Sequence, residues 1–330
     1  MEGWTGSYPE VTGYIVPTLY DAAEVLGDEQ LASRAAEMTD WVLTLQLPDG
    51  AFPGSFVGRL SDARVFNTGQ IIFGLMRTAD KTGQRGYLEA AIRAGNWLVS
   101  IQDTDGCWRT STLNGIPHAY NVRTAWSLAR LAEVTGETRF RDAAVANARW
   151  TVRQQCPSGW FEKNAFVSNC DVVTLHTLCY CVRGLLEIGA MLENRTPECA
   201  DLVASATHAA DALHIAWTRD GAIAGTFGAD WSSPDEWRCI PGEAQLAIVW
   251  MRLFQVTGAH KYWTAAVDLL ERVKSAQFMD QGNADLDGGI TGSLPINAPY
   301  ERYCLVSWGP KFLIDALILK ESASDDDRFG

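Results

Sequence analysis

Three acidic residues, Glu10, Asp171 and Glu243, stand at or just before the starts of apolar segments with helical periodicity. Two carboxyl groups that flank a glycosidic bond can hydrolyse it, one as acid and the other as base or nucleophile. Glu243 lies in a first helical turn, where the helix dipole is expected to lower its pKa and favour the base or nucleophile. Glu10, beside Tyr8, is expected to be the acid. A carboxyl separation of about 5–5.5 Å would indicate a retaining hydrolase and about 6.5–9.5 Å an inverting one.

A second set of residues suits a different chemistry. His118, Tyr120, Asn121 and Arg123 fall within six positions of one another, and His176 lies at the start of another apolar segment. A lyase or sugar epimerase can remove a proton with His or Tyr while Asn or Arg stabilises the resulting negative charge. The sequence therefore leaves two reactions open, with hydrolysis by paired carboxylates ahead of the lyase or epimerase chemistry.

Further polar side chains interrupt helices that are otherwise apolar. Thr12, Asn67 and Ser307 suit helix N-caps, but most of the others lie past the cap. Burying such groups costs free energy unless they are paired or face water, so we expect them to line a solvated cavity. The expected substrate-binding residues are Asn67, Gln70, Asn121, Arg123, Tyr180, Gln245, Trp308 and Lys311. Tryptophans in the same windows suit sugar rings, and the basic residues there hint at an anionic sugar.

These residues recur at one place in a repeated unit. The string Gly-x-Thr-Gly-Ser-x-Pro at residues 3–9 returns at residues 289–295, and related turns lie between the two. The anchoring glycines are Gly3, Gly50, Gly106, Gly159, Gly221 and Gly288 or Gly289. Most of the turns follow a helical segment that carries Trp and Gln, and each precedes a polar loop and an apolar helix. The apolar helices are expected to begin near Thr12, Asn67, Asn121, Thr174, Gly242 and Ser307.

The two helices of each unit are separated by a glycine suited to the αL conformation that ends a helix. These glycines are Gly27, Gly83, Gly136 and Gly258. Each unit is thus predicted to be a hairpin of one buried helix and one amphipathic outer helix. The predicted fold is an all-α (α/α)6 toroid of six inner and about five outer helices, with short β pieces in the loops. The first unit lacks an outer helix, so either the ring tolerates this gap or the chain is a fragment.

The repeat pattern over residues 1–320 resembles the six-hairpin toroids of glycoside hydrolases and polysaccharide lyases. Ala94-Gly95-Asn96-Trp97-Leu98, followed by Gln102 and Gly106-Cys107-Trp108, is also similar to the QW motif of terpenoid cyclase and prenyltransferase toroids. The cyclase motifs DxDD and DDxxD are absent from the body of the chain, and Cys239 with Asp235 is a poor match to a prenyltransferase zinc set. The resemblance therefore implies a carbohydrate-active enzyme. A cyclase-like toroid and a non-catalytic glycan-binding protein remain alternatives.

The composition limits the partners. A formal net charge of −13 argues against nucleic acid, whose phosphates need a basic surface. We expect no membrane span and no signal peptide, hence a cytoplasmic protein. The eight cysteines form no CxxC pairs and are expected to be buried reduced thiols. We expect no metal and no organic cofactor, a single domain over residues 1–320, and a disordered acidic tail at 321–330. The oligomeric state stays open.

Overall fold

A computed structural model describes residues 3–59, 61–168, 170–192, 199–280 and 282–326. These residues form eleven α-helices, joined by loops that contain two short antiparallel strand pairs, as the all-α prediction requires. The chain divides into two compact units, one ending at Arg153 and the other beginning at Gln154. Each unit is built of helical hairpins. The single domain over residues 1–320 stays a prediction.

The first unit contains three hairpins. Their helices are α1 (Pro9–Leu26), α2 (Glu29–Leu43), α3 (Val65–Thr82), α4 (Arg85–Ser100), α5 (Val122–Thr135) and α6 (Thr138–Val152). The odd-numbered helices pack side by side, α1 on α3 and α3 on α5, and each even-numbered helix packs on the odd one before it. The odd-numbered helices are therefore the inner helices, and they hold more buried residues than the even-numbered helices do.

The second unit follows the same plan with longer loops. Its helices are α7 (Leu175–Leu192), α8 (Ala200–Asp220), α9 (Ile240–Thr257), α10 (His260–Lys274) and α11 (Trp308–Asp326). Helix α9 packs on both α7 and α11, and α8 and α10 pack on α7 and α9. Its loops pair β1 (Val172–Thr174) with β2 (Thr226–Gly228), and β3 (Arg238–Cys239) with β4 (Ser293–Leu294).

The predicted helix boundaries are confirmed to within three residues at the start of each inner helix. The four break glycines have positive φ of 64° to 73° and end α1, α3, α5 and α9 in the αL conformation. Thr12 and Asn67 lie inside the first turns of their helices rather than at the caps, because α1 and α3 begin earlier than expected. Helix α11 continues to Asp326, so residues 321–326 of the expected tail are helical; residues 327–330 lie outside the described residues.

A glutamine at the end of an outer-helix segment binds the next outer helix. Gln102 Nε2 donates hydrogen bonds to the carbonyl of Gly106 in its own turn and to that of Ala143 in α6, both at 3.0 Å. We call this arrangement the glutamine clamp. It is repeated at 2.9–3.0 Å by Gln46 (to Gly50 and Ala90) and by Gln155 (to Gly159 and Ser205). The QW-like repeat of the sequence is therefore a hairpin-to-hairpin connection.

In the clamps of Gln46 and Gln102, the turn glycine is required by space as well as by conformation. Gly106 has φ 88°, and a Cβ on it would lie 2.2 Å from the carbonyl oxygen of Ala146 in α6. Trp108, two residues later, is buried and donates from Nε1 to the carbonyl of Leu98 at 2.9 Å. Gly221 differs from this pattern: it is the αL C-cap of α8, because that helix runs to Asp220.

Two further expectations concern burial. Helix α7 is long and apolar enough to cross a membrane by length and composition, and 83% of that stretch is buried, as in the core helix of a globular protein. All eight cysteines are free, and five of them are buried, as expected: Cys107, Cys179, Cys181, Cys199 and Cys239. Cys304 is exposed, because it lies in the loop before α11.

Candidate functional site

The predicted site residues gather in two clusters, one in each unit. The Glu10 cluster consists of residues at the starts of α1, α3 and α5: Tyr8, Glu10, Asn67, Gln70 and Arg123. The His176 cluster consists of residues on α7, α9, α11 and the loop before α11: His176, Tyr180, Gln245, Tyr300, Trp308 and Phe312.

Small residues bring the three inner helices of the first unit close together. A Cβ on Gly74 of α3 would lie 2.3 Å from the carbonyl oxygen of Gly13 in α1. A Cβ on Gly69 would lie 2.6 Å from the side chain of Thr124 in α5. Larger residues would force the helices apart, so these glycines bring the turns that carry the Glu10 cluster near one another.

Arg123 is held rigidly inside the Glu10 cluster. Its Nε donates to Oε1 of Gln70 at 2.7 Å, and its guanidinium lies over the rings of Trp126 and Phe73, at 5.4 and 5.9 Å from their centroids. Gln70 is fully buried, and its Nε2 has no hydrogen-bond partner among the described residues. The pair therefore presents a fixed cation beside an amide donor with spare capacity.

Glu10 is the carboxyl group of this cluster. Its side chain keeps partial contact with solvent, yet surrounding protein atoms raise its pKa to about 8, against the opposing positive charge of Arg123. Burial and the charge of Glu10 likewise raise the pKa of Tyr8. A hydrogen bond with the Asn67 side chain acts in the opposite direction and lowers this pKa. The Tyr8 ring packs edge-on against Phe56 at 5.0 Å. Below about pH 8, Glu10 is a protonated acid beside a cation.

His118, Tyr120 and Asn121 are buried in the loop that leads into α5. His118 Nε2 lies 2.8 Å from the carbonyl of Leu113, which can only accept, so Nε2 is the donor. The His118 and Tyr120 rings stack at 4.6 Å, and Tyr120 packs edge-on against Phe66 at 5.4 Å. These contacts hold the loop against α3. The roles predicted for His118, Tyr120 and Asn121 in proton transfer and binding stay predictions.

In the second unit, a glycine sets the spacing of α7 and α9. A Cβ on Gly242 would lie 3.0 Å from the backbone nitrogen of His176. The Gly242 carbonyl also accepts from Cys179 Sγ at 3.5 Å. One turn further along α9, Gln245 Nε2 lies 2.8 Å from His176 Nδ1. The close approach of the two helices thus positions the amide against the imidazole.

Aromatic rings surround His176 on several elements. The ring centroids of Tyr180, Tyr300, Trp308 and Phe312 lie 4.5, 5.5, 6.5 and 6.0 Å from that of the imidazole. Trp308 Nε1 donates to the Tyr300 hydroxyl at 3.1 Å, and burial raises the pKa of Tyr300 well above its usual value. Tyr180 and Phe312 are buried, whereas Tyr300 and Trp308 are partly exposed and could provide flat faces on which sugar rings stack.

Glu243 differs from its expected state. It is buried, and both of its oxygens accept hydrogen bonds from Arg238, from Nε at 2.7 Å and from Nη2 at 2.5 Å. Burial raises the pKa of Glu243, although Arg238 opposes the rise. The predicted lowering of its pKa by the helix dipole is therefore wrong, because desolvation of this carboxyl outweighs the dipole.

Two other candidates are not members of either cluster, although Lys311 Nζ lies 4.6 Å from the ring centroid of Phe312. The Asp171 side chain is exposed before β1, because this strand separates it from the start of α7. Lys311 is buried on α11 and pairs with Asp315 one turn later. Among the described residues, no group of three or more His, Cys, Asp and Glu side chains could hold a metal ion.

Within each unit, the structure brings several of the predicted residues together. Glu10, Asn67, Gln70 and Arg123 come together, as do His176, Tyr180, Gln245 and Trp308; one shared cavity and the Glu10–Glu243 separation stay predictions. Sequence reasoning missed Phe312 and Tyr300. Phe312 lies one turn after Trp308 and could have been found from that spacing, whereas Tyr300 lies in a loop that has no periodicity.

Comparison with known proteins identifies the fold. No family model matches the chain, and no curated protein matches it. Among solved structures, an unsaturated glucuronyl hydrolase specific for heparin superposes with a TM-score of 0.73 at 16% identity, over 96% of this chain and 86% of that one.

Sugar epimerases superpose equally well. A sugar epimerase from a ruminal bacterium has a TM-score of 0.74 at 13% identity, over 94% of this chain and 87% of that one. Cellobiose 2-epimerase from Bacillus thermoamylovorans B4167 has a TM-score of 0.73 at 13% identity, over 95% of this chain and 88% of that one. The fold class is thus the all-α (α/α)6 toroid, as predicted.

Proposed function

We propose that this chain is a carbohydrate-active enzyme that cleaves a glycosidic bond, with Glu10 as the general acid. The observation that supports this role is the raised pKa of Glu10, about 8, in a carboxyl group that still contacts solvent. Cleavage needs a proton on the departing glycosidic oxygen, and an acid with a pKa near the working pH is still protonated there and can transfer that proton. The fold shared with a glucuronyl hydrolase is consistent with this chemistry.

The substrate that suits the Glu10 cluster best is a sugar with a carboxylate, such as a uronic acid. Arg123 is a cation fixed by Gln70 and by two aromatic rings, and Gln70 keeps a buried donor. With Glu10 protonated, the cluster offers mainly donors and positive charge, which favours an anionic group. Glu243 is assigned a different role from the one expected: with Arg238 it forms an ion pair at the start of α9.

The direct test is turnover by the Glu10→Gln variant. Neutral and uronic-acid oligosaccharides, including unsaturated uronides, are incubated with the protein and read for reducing ends and for gain or loss of unsaturation. We expect Glu10→Gln to lower turnover about 10²- to 10⁴-fold, because it removes the proton donor. In the wild type, kcat/KM should fall as the pH rises through about 8, where Glu10 loses its proton.

The matched control is Glu29→Gln, the same change at an exposed residue in the first turn of α2. It should keep wild-type turnover. Normal cleavage by Glu10→Gln would reject the proposed role. Unsaturated products that disappear only in His118 or Tyr120 variants would establish the lyase instead.

The substrate class has its own test. Arg123→Gln should lower kcat/KM for a uronic-acid substrate about 10- to 100-fold, the usual effect of losing a hydrogen bond to a charged group. For the matching neutral sugar the change should stay within about twofold. Arg130→Gln, at an exposed position of the same helix paired with Glu133, is the control. Equal losses on both sugars would show that Arg123 does not select the anionic substrate.

A further inference from the structure

The contact between Gln245 and His176 decides which ring nitrogen of the histidine carries the proton. Gln245 Nε2 faces His176 Nδ1 at 2.8 Å. In the orientation that the amide has here its nitrogen faces Nδ1, and because an amide nitrogen can donate but cannot accept, Nδ1 is the acceptor and carries no proton. In a neutral imidazole the single proton then lies on Nε2.

Both partners are held so that this contact persists. His176 and Gln245 are each 4% exposed, so water competes little for the bond. Gly242 fixes the distance between the first turns of α7 and α9, since a Cβ on it would meet the His176 backbone nitrogen and Leu175 Cγ, each at 3.0 Å. Four aromatic rings limit reorientation of the imidazole.

We propose that Gln245 is a positioning residue that holds His176 as a neutral hydrogen-bond donor through Nε2. A histidine in this state does not take a proton from a sugar carbon, as an epimerase or lyase base must. Its Nε2–H is then the donor that the ring can offer to a sugar oxygen. That the recipient is a sugar rests on the proposed function; the position of the proton does not.

The proton position is measured directly by nitrogen-15 NMR of the imidazoles in the intact protein, with the His176 signals identified by their absence in His176→Gln. We expect wild-type His176 to be neutral, with Nδ1 unprotonated and Nε2 protonated. Gln245→Glu replaces the donor with an acceptor and should move a proton to Nδ1. Gln255→Glu, the same change at an exposed residue of α9, should leave the His176 signals unchanged.

Activity gives a second readout. Gln245→Glu should lower kcat/KM at least about tenfold, as expected when a positioned donor is lost, while Gln255→Glu stays at the wild-type value. A wild-type spectrum with a proton on Nδ1 would overturn the proposal without any variant. The test therefore remains valid even if Gln245→Glu does not fold. The NMR spectrum is recorded without substrate. Its result can therefore contradict the proposed state of His176 whether or not the Glu10 variants support the proposed function.

Discussion

At the scale of single residues, Glu10 links the candidate chemistry to stability. Its folded-state pKa of about 8 lies above the ordinary value of 4.5, so the folded protein binds a proton that the unfolded chain releases between these values. This contribution to stability is complete below pH 4.5 and is lost as the pH rises through about 8.

Glu10→Gln should remove this pH dependence. Between pH 5 and pH 8, the free energy of unfolding of the variant should rise relative to wild type by up to about 3 kcal/mol, since one pKa unit corresponds to about 1.4 kcal/mol and the group keeps some solvent contact. The measurement is the melting temperature of both proteins over this pH range. Glu29→Gln is measured in the same way as the control. A constant difference between Glu10→Gln and wild type would show that the carboxyl is not desolvated.

The residues of the Glu10 cluster could be predicted from the sequence because all but Tyr8 occupy the first two turns of inner helices. Arg238 could not be recognised as the partner of Glu243, because the two meet across the junction of β3 and α9. A sequence pattern also does not show how deeply a carboxyl group is buried, so it cannot tell whether desolvation or the helix dipole has the larger effect on the pKa. The pKa of Glu243 was therefore predicted in the wrong direction.

At the scale of the elements, the glutamine clamp predicts a ranking of stabilities. Gln102→Ala removes two hydrogen bonds to carbonyls and should cost about 1–2 kcal/mol in the free energy of unfolding. Gly106→Ala should cost more, because its Cβ would meet the Ala146 carbonyl at 2.2 Å and its φ is 88°. Chemical denaturation measures both.

Gln84→Ala provides the control for this series. Gln84 is an exposed residue before α4 whose side chain makes no capping bond, so its loss should be close to neutral. If Gln102→Ala unfolds at the same denaturant concentration as Gln84→Ala, the clamp does not stabilise the hairpins.

The hairpins themselves could be predicted because glycine has a distinct physical role at each boundary. Positive φ at the break glycines ends the inner helices where the sequence indicated. The prediction was less accurate where a strand intervenes: β1 displaces Asp171 from the start of α7, and an alternating pattern of three residues is too short to recognise. The Asp220-Gly221 pair has the composition of a turn but caps a long helix.

At the scale of the whole molecule, the prediction of one domain over residues 1–320 has a direct test. A single domain should unfold in one cooperative transition, with tryptophan fluorescence and helical circular dichroism changing together. Calorimetry should then give equal calorimetric and van't Hoff enthalpies. Two separate transitions would instead match the compact units that meet at Arg153 and Gln154.

The glutamine clamp has a consequence for how such a chain can vary. Through Nε2, each glutamine binds a backbone carbonyl oxygen of the following outer helix, and every residue type supplies that same oxygen. Through Oε1, Gln46 also accepts from Arg93 and Gln155 from Ser205, so the clamp constrains single side chains of the outer helices and leaves their other positions open. Outer-helix faces could be exchanged between hairpins, or replaced by designed ones, while the spacing of the inner-helix starts is retained. The scaffold is in this sense modular, and its outer surface can diverge independently of its chemistry.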